Sequence, residues 1–305
     1  MARNIDTKQF ILAGPHHGIE ISGAEDLSSF LFELIPQWPH SPQGHMGPVA
    51  QANSPPDQTP IIIENSNGQW RITSPHMALS DYDLEDGYMV ANALIGALIA
   101  AYVAQDDNLV SVHAGAVRVG DGLVLLLGAN GSGKSTFATL LAAMGQRFFA
   151  DDRLILDLSL DPSKNGPIGR SLAIAPKVRL PLPHEATMAY RDFVDENSVL
   201  VWPEMAVLRP SPDLAANFGE ALPVRALIHL DRDDGVDQPD LAVMRQPHMV
   251  RILLEQLFAP HLNQQRELAA CVKLAGSVGL WQLRYNSAFS AANILLSHFD
   301  DGVDG

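Results

Sequence analysis

Apolar residues in the first part of the chain occur in short runs bounded by turn-forming residues, a pattern typical of β-strands. Between these runs, residues 36–60 carry seven prolines together with Gly, Ser, Gln and His. Proline lacks a backbone donor and fixes φ, so this composition sustains neither a helix nor a central strand and predicts a long loop. Short strands are expected on either side of the loop, at residues 10–12, 18–22, 61–64 and 69–73.

Near residue 85 the pattern changes to an alternation of helical and strand-like apolar segments. A helix is expected at residues 84–104, opening with Glu85 and Asp86, because acidic residues suit the positive end of the helix dipole. Its apolar stretch, 89–103, is short for a bilayer span and predicts a buried helix. The elements expected after it are strands at 110–119, 123–127, 148–149, 154–156, 172–175, 205–208, 226–230 and 280–284, and helices at 134–144, 249–258, 263–274 and 288–299.

This alternation predicts an α/β fold with a central, mostly buried sheet flanked by helices. We therefore expect two regions: a strand-rich N-terminal region at residues 1–84, which contains the proline-rich loop, and an α/β domain at residues 85–305. We find no internal repeat in the sequence.

Charge and cysteine content narrow the function classes. The formal net charge of −15 argues against binding to nucleic acid or to anionic membranes, because both require neutralising Lys and Arg residues. The single cysteine, Cys271, excludes a disulfide framework and a Cys-rich zinc site. Residues 1–10 carry charges and lack the apolar core of a signal peptide, so a reducing, cytoplasmic location is expected.

Residues 128–135 fit the pattern G-x-x-x-x-G-K-[ST], placed between an expected buried strand and an expected helix. Such a loop wraps a polyphosphate with backbone N–H groups, and glycines let the backbone approach closely. Lys134 is expected to reach the terminal phosphates and the Ser135 hydroxyl to bind Mg²⁺. We therefore predict binding of ATP with Mg²⁺. The residues expected to bind the nucleotide are Gly128, Ala129, Asn130, Gly131, Ser132, Gly133, Lys134, Ser135 and Thr136.

Two acidic residues compete for a second Mg²⁺-binding role. Asp152 follows the apolar segment 148–150, and Asp231 ends the apolar strand 226–230 in the manner of a Walker B aspartate. Each is also explained as an ordinary turn residue at the end of a strand. Composition and pattern do not separate the two.

Three motifs together resemble the catalytic core of HPr kinase/phosphorylase. They are His113-Ala114-Gly115, the phosphate-binding loop, and the run Gln146-Arg147-Phe148-Phe149-Ala150-Asp151-Asp152-Arg153. The spacing matches as well, since His113 precedes Ser135 by 22 residues and Asp151 follows Lys134 by 17. The match spans residues 111–156. Elsewhere the chain is similar only in outline, and it looks more like the shorter HPr-kinase-like proteins of bacterial peptide-modification clusters, such as lasso-peptide kinases.

The resemblance implies a P-loop kinase domain of the HPr kinase type and a role for each matching residue. Asp151 would be the base that accepts the proton of a substrate serine, although a buried acid without substrate contact is the alternative. Asp152 would hold Mg²⁺ together with Ser135, and Lys134 would act on the transferred phosphate. His113 would assist near that phosphate, with a core histidine as the alternative.

The chain departs from the family at two places. The family's Glu-Val-Arg-Gly stretch corresponds here to residues 177–180, where Lys177 replaces the Glu and the Gly is absent. The later Pro-Gly-Arg-Asn signature has no clear counterpart. Both differences argue against phosphorylase activity and against HPr itself as the substrate.

We therefore predict a serine kinase of the HPr kinase type. Its expected acceptor is a hydroxyl on a peptide or small protein, with a small molecule as a further class, and the N-terminal region either helps to recognise it or is purely structural. The alternatives are a P-loop ATPase or GTPase that uses Asp231 and a nucleotide-binding regulatory module without turnover. A homo-oligomer is an open expectation, since the bifunctional relatives are hexamers.

Overall fold

The computed structural model of the chain describes residues 9–42, 59–77, 87–159 and 166–299. The chain divides into two compact units. The first, the N-terminal unit, comprises Met1–Leu109 and Ala259–Leu262, and the second comprises Val110–Phe258 and Asn263–Gly305. The long helix after residue 86 therefore belongs to the first unit, whereas the sequence pattern groups it with the α/β domain. Most of the proline-rich loop, the start of the predicted helix at residues 84–86 and the acidic C-terminal tail lie outside the described residues.

The N-terminal unit contains one sheet of five strands in the order β3-β1-β2-β4-β5, in which only the β2–β4 pair is parallel. Its elements are β1 (Gln9–Leu12), β2 (Ile19–Ser22), α1 (Ser28–Leu34), β3 (His40–Pro42), β4 (Ile61–Ser66), β5 (Gln69–Thr73) and α2 (Gly87–Val103). The four predicted strands are confirmed. The predicted loop is wrong at its beginning, because β3 lies within it, where an edge position tolerates a proline.

The apolar helix α2 is largely buried. Most of its residues are buried, including Leu94, Leu98 and Val103, which confirms the prediction of a buried helix. Within the described ranges, the helices all fall short of the combined length and apolar character that crossing a bilayer requires.

The second unit is a mixed α/β structure with sheets flanked by helices, as the alternation of patterns predicts. Its first elements are β6 (Leu109–His113), β7 (Gly115–Val119), β8 (Gly122–Leu127), α3 (Lys134–Ala143), β9 (Arg147–Ala150), β10 (Arg153–Asp157), β11 (Ile168–Arg170), β12 (Lys177–Arg179) and α4 (Met188–Asn197). The remainder are β13 (Ser198–Trp202), β14 (Met205–Leu208), β15 (Ala221–Arg232), β16 (Asp240–Val243), α5 (Gln246–Gln256), β17 (Leu257–Phe258), α6 (Gln264–Ala275), β18 (Gly279–Tyr285) and α7 (Ala288–Phe299).

A ten-stranded sheet positions the phosphate-binding loop. Its main path runs β17-β6-β10-β11-β15-β8-β7-β9, and β18 pairs with β15. Strands β8, β15 and β18 are mutually parallel, so their carboxyl ends meet at one edge of the sheet. In open α/β sheets, ligands bind at that edge. Strand β8 is buried at every residue and leads directly into the predicted loop.

The main apolar core fixes helix α3 against this sheet. Phe137 and Leu141 of α3 pack in one cluster with Ile228 and Leu230 of β15 and with residues of α4 and α7. These side chains are fully or nearly fully buried. The loop between β8 and α3 is therefore held at both ends by buried elements.

Two predicted strands are corrected by the structure. The single strand predicted at 110–119 is divided into β6 and β7, which lie at different places in the sheet, and Ala114 between them donates its N–H to the Asp152 carbonyl at 3.1 Å. No strand forms at residues 172–175, although they are described. Ala173 has φ of 51°, which a strand cannot accommodate, and the Ser171 hydroxyl accepts its N–H.

Candidate functional site: a phosphate-binding loop beside an acid pair

The loop between β8 and α3 follows a path that requires glycine at both ends. A Cβ atom at Gly128 would lie 2.6 Å from the Ser132 hydroxyl oxygen and 3.0 Å from the Leu230 carbonyl oxygen. Gly133 precedes the helix in the left-handed region, with φ of 94°, where other residues are strained. Side chains at these two positions would change the path of the loop, which explains the glycine spacing of the motif.

The middle of the loop is exposed to solvent, and helix α3 follows the loop directly. Ala129, Asn130 and Gly131 are exposed, and α3 begins at Lys134 with its first intrahelical bond from Phe137 N–H to the Gly133 carbonyl at 2.8 Å. The first N–H groups of a helix have no acceptor within it and carry the positive end of its dipole. Helix N-termini that follow a glycine-rich loop are a common place for phosphate to bind in proteins.

Lys134 folds back over the loop that precedes it. Its ammonium group donates hydrogen bonds to the carbonyls of Gly128, at 2.7 Å, and Ala129, at 3.2 Å. The residue is only 6% exposed, and this burial lowers the pKa of its ammonium group, an effect that the Asp152 carboxylate opposes and Arg153 reinforces. The motif predicts that this cation reaches the terminal phosphates of a nucleotide.

Ser135 and Thr136 occupy the first turn of α3 and are both half-buried. Their backbone carbonyls accept hydrogen bonds from the Thr139 hydroxyl, at 2.7 and 3.2 Å. The hydroxyl of Ser135 directly follows Lys134, which is the position the motif assigns to the metal ligand.

Asp151 lies in the turn between β9 and β10 and is the most buried acid of the site, at 3% exposure. Its carboxylate accepts the backbone N–H of Lys177 at 2.9 Å. Burial raises the pKa of Asp151 to about 7; the nearby charge of Asp152 adds to this effect, and the positive charge of Lys177 opposes it. A carboxyl group with this pKa exchanges a proton near neutral pH.

Asp152, the next residue, has the opposite character. Its half-exposed carboxylate lies 3.1 Å from Nε2 of His113, at the end of β6. Burial favours a higher pKa for Asp152, but the hydrogen bond from His113 and the charges of Lys177, His113 and Arg153 outweigh it and lower the pKa to about 2. The structure therefore brings His113, Asp152 and Lys134 together, with Asp151 beside them.

Asp231, the competing acid, is the last residue but one of β15, the strand next to β8, and has different surroundings. Its carboxylate accepts a hydrogen bond from the Gln282 side-chain amide at 2.7 Å. Alternation along β15 places Asp231 and His229 on one face, because Leu230 faces the core that contains α3. The charge effects on Lys134 come from Asp152 and Arg153, and Asp231 is not among them.

Two residues of this region receive no role from the sequence. Tyr285, at the end of β18, donates its hydroxyl hydrogen to the carbonyl of Ser132 in the loop. Arg153, half-buried after the acid pair, lies over the ring of Phe258 at 5.2 Å. The signal for Tyr285 is its position at the end of a strand parallel to β8, but the order of strands in the sheet cannot be read from the sequence.

Comparisons with known proteins add a weak structural similarity. No protein-family model matches the chain, and no curated protein matches it. Among solved structures, the Hpr(Ser) kinase/phosphatase from Coxiella burnetii is similar at 13% identity, over 62% of this chain and 89% of that chain, with a TM-score of 0.31. A similarity this low supports no functional argument, so the function is argued from the site.

Proposed function

We propose that this protein is a P-loop kinase that transfers the γ-phosphoryl group of ATP to a hydroxyl group, with a serine of a peptide or small protein as the favoured acceptor. The observation that carries the proposal is the placement of the acid pair, in which Asp152 lies 3.1 Å from His113 and influences the Lys134 ammonium group. The Asp152 carboxylate acts electrostatically on the Lys134 ammonium group, while Asp151, beside it, has a pKa of about 7. The ATPase hypothesis requires Asp231 to bind the metal, but its carboxylate accepts a hydrogen bond from the Gln282 side-chain amide.

The neighbouring aspartates suit two different roles because their surroundings shift their pKa values in opposite directions. Asp151 would accept the proton of the acceptor hydroxyl while that oxygen bonds to the γ-phosphorus and the bond from the γ-phosphorus to the bridging oxygen of ADP breaks. Its burial requires the acceptor to enter directly beside it. Lys134 would neutralise charge on the transferred group, and His113 would orient Asp152.

Mg²⁺ fits the oxygen donors of this site. Within the described parts of the chain, His, Cys, Asp and Glu side chains form no cluster of three or more that would hold a metal by itself. Mg²⁺ is usually held by one or two protein oxygens together with phosphates and water. Ser135 and Asp152 would hold it, and it would supply positive charge to the phosphates. The low pKa of Asp152, about 2, keeps this carboxylate ionised as a metal ligand requires.

A P-loop ATPase is the second candidate function. The observation in its favour is that Asp231 ends a strand that is parallel and adjacent to β8. The two functions differ in the destination of the phosphate and in which aspartate is indispensable.

Calorimetric titration with ATP and Mg²⁺ tests the nucleotide site itself. Lys134→Ala should weaken binding by at least about tenfold, since it removes a charge-assisted contact worth roughly 1.5–3 kcal/mol. Lys273→Ala removes a lysine from α6, whose ammonium group binds the Leu158 carbonyl, and serves as the control that should bind normally. Failure of the wild-type protein to bind ATP at millimolar concentration would show that the proposal is wrong.

A further inference from the structure

Tyr285 connects the third parallel strand to the phosphate-binding loop. The residue is 1% exposed, and its hydroxyl donates to the Ser132 carbonyl. Its ring packs edge-on against Phe137 of α3, with ring centroids 5.5 Å apart. A Cβ atom at Gly133 would lie 2.9 Å from the Tyr285 hydroxyl oxygen, so the loop passes in direct contact with this side chain.

The loop carbonyls are held by two different kinds of donor. Lys134 binds the carbonyls of Gly128 and Ala129, but its ammonium group is also the group that a bound phosphate would attract. The Tyr285 hydroxyl has no such second role. Burial raises the pKa of Tyr285 to about 12, so the hydroxyl stays protonated and remains a donor. The carbonyl of Ser132 therefore has a donor that phosphate does not compete for.

We propose that Tyr285 is a positioning residue that holds the loop in its phosphate-binding conformation through the Ser132 carbonyl; this rests on the proposed function, in which the loop binds ATP. The peptide unit between Ser132 and Gly133 is planar and trans, so fixing its carbonyl also fixes the direction of the Gly133 N–H. Backbone N–H groups of such a loop are the groups that contact phosphate. A loop already in its bound conformation loses less entropy when the ligand binds.

Tyr190 of α4 provides a matched control within the same core. It is fully buried, its hydroxyl is hydrogen-bonded to the Thr139 hydroxyl at 2.8 Å, and burial raises its pKa to about 12. Its ring also packs edge-on against a phenylalanine, Phe289, with centroids 5.4 Å apart. Each tyrosine thus makes one hydrogen bond from a buried side chain, Tyr190 to helix α3 and Tyr285 to the loop that precedes it.

The test compares Tyr285→Phe with Tyr190→Phe, two changes that keep the ring and remove one hydroxyl. Binding is measured by calorimetry with ATP–Mg²⁺ and with tripolyphosphate, which probes the loop without a base or ribose. Tyr285→Phe should weaken both ligands by the same factor, about threefold to tenfold, the effect of one hydrogen bond. Tyr190→Phe should change both by less than about twofold, although it loses a comparable bond. Thermal midpoints of both variants verify that they fold.

A second readout follows the loop itself. Amide hydrogen exchange at Gly133 should be faster in Tyr285→Phe than in the wild-type protein and unchanged in Tyr190→Phe, because only the first frees this peptide unit. The positioning role would be refuted if Tyr285→Phe bound both ligands as tightly as the wild-type protein, or if Tyr190→Phe reduced their affinity as much as Tyr285→Phe does. Either result would leave the proposed nucleotide site unaffected. Wild-type protein that bound neither ligand would overturn the proposed function and this inference with it.

Discussion

Two regions of the sheet edge carry an aspartate at the end of an apolar strand, and the structure surrounds them differently. The turn between β9 and β10 holds Asp151 and Asp152 beside a histidine and the loop lysine. The end of β15 holds Asp231, whose carboxylate is bound to the amide of Gln282 on the neighbouring strand. A similar sequence pattern thus produces a cluster of charged groups in one place and a single hydrogen bond from an amide to a carboxylate in the other.

The difference shows that the position of an acid along a strand does not decide its chemistry. Asp231 belongs to the strand adjacent to β8, which is the arrangement that a Walker B aspartate would have. The acid pair belongs to the turn between β9 and β10, yet the charge of one of its members, Asp152, acts on Lys134. The partners of the acids separate the two regions, because Asp152 contacts His113 and acts on Lys134, whereas Asp231 is hydrogen-bonded to Gln282.

The largest expected effect comes from Asp151→Asn in phosphoryl transfer. The amide has the same shape but cannot accept the hydroxyl proton, so transfer should fall by about 100-fold or more. Affinity for ATP–Mg²⁺ should remain within about threefold of the wild type, as Lys134 and Asp152 are intact. Transfer is measured with γ-labelled ATP and a serine-containing acceptor, or, until one is known, by slow ATP hydrolysis. Undiminished transfer in this variant would exclude Asp151 as the base.

The same substitution should also change stability in a pH-dependent way. The pKa of Asp151 is raised from 3.8 to about 7 in the folded protein, so its contribution to stability is complete below pH 3.8 and is lost as the pH rises through 7. Asp151→Asn should therefore be more stable than the wild type at pH 8, by roughly 2–4 kcal/mol, and should lose that advantage near pH 4.

Asp152→Asn provides the contrasting case for this measurement. The pKa of Asp152 is lowered to about 2, so its stabilising contribution is present above pH 3.8 and is lost at lower pH. This variant should be less stable than the wild type at neutral pH. Denaturant unfolding at pH 2, 4, 6 and 8 compares the proteins: the effect of Asp151→Asn should change between pH 4 and 8, and that of Asp152→Asn between pH 4 and 2. Effects that change in the same direction over the same pH range would contradict the assignment.

A smaller effect is expected for Asp152→Asn in nucleotide binding. Loss of a charged Mg²⁺ ligand should weaken ATP–Mg²⁺ binding by about tenfold, while binding of ATP in EDTA should not weaken. Titrations with and without the metal make the comparison. An equal loss under both conditions would mean that Asp152 supports the loop without binding the metal.

The smallest effect is expected for Asp231→Asn. Its amide can still accept the hydrogen bond from Gln282 through its oxygen, so ATP–Mg²⁺ binding and turnover should both stay within about threefold of the wild type. The ATPase hypothesis expects the reverse, with Asp231 indispensable and Asp151 dispensable. Steady-state hydrolysis by the two Asn variants, measured side by side, distinguishes these outcomes.

Local features of the site were predictable because they depend on short-range chemistry. The loop at residues 128–135, the buried strand before it and the helix after it follow from glycine spacing and apolar pattern, and all three are found. The break at Ala114 was missed because it depends on a bond to the distant Asp152 carbonyl. The contact of Tyr285 with the loop could not be predicted either, because it depends on the pairing of β18 with β15, which the sequence pattern does not indicate.

The position of the metal is the most direct test of the central claim, that the acid pair and not Asp231 serves the nucleotide. A crystal structure with a non-hydrolysable ATP analogue and Mn²⁺ in place of Mg²⁺ would locate the metal by its anomalous scattering. We expect the anomalous peak to lie beside the Ser135 hydroxyl and the Asp152 carboxylate, with Asp151 facing the γ-phosphate. A peak coordinated by Asp231, with the acid pair remote from the phosphates, would contradict the proposed roles and leave only the phosphate-binding loop.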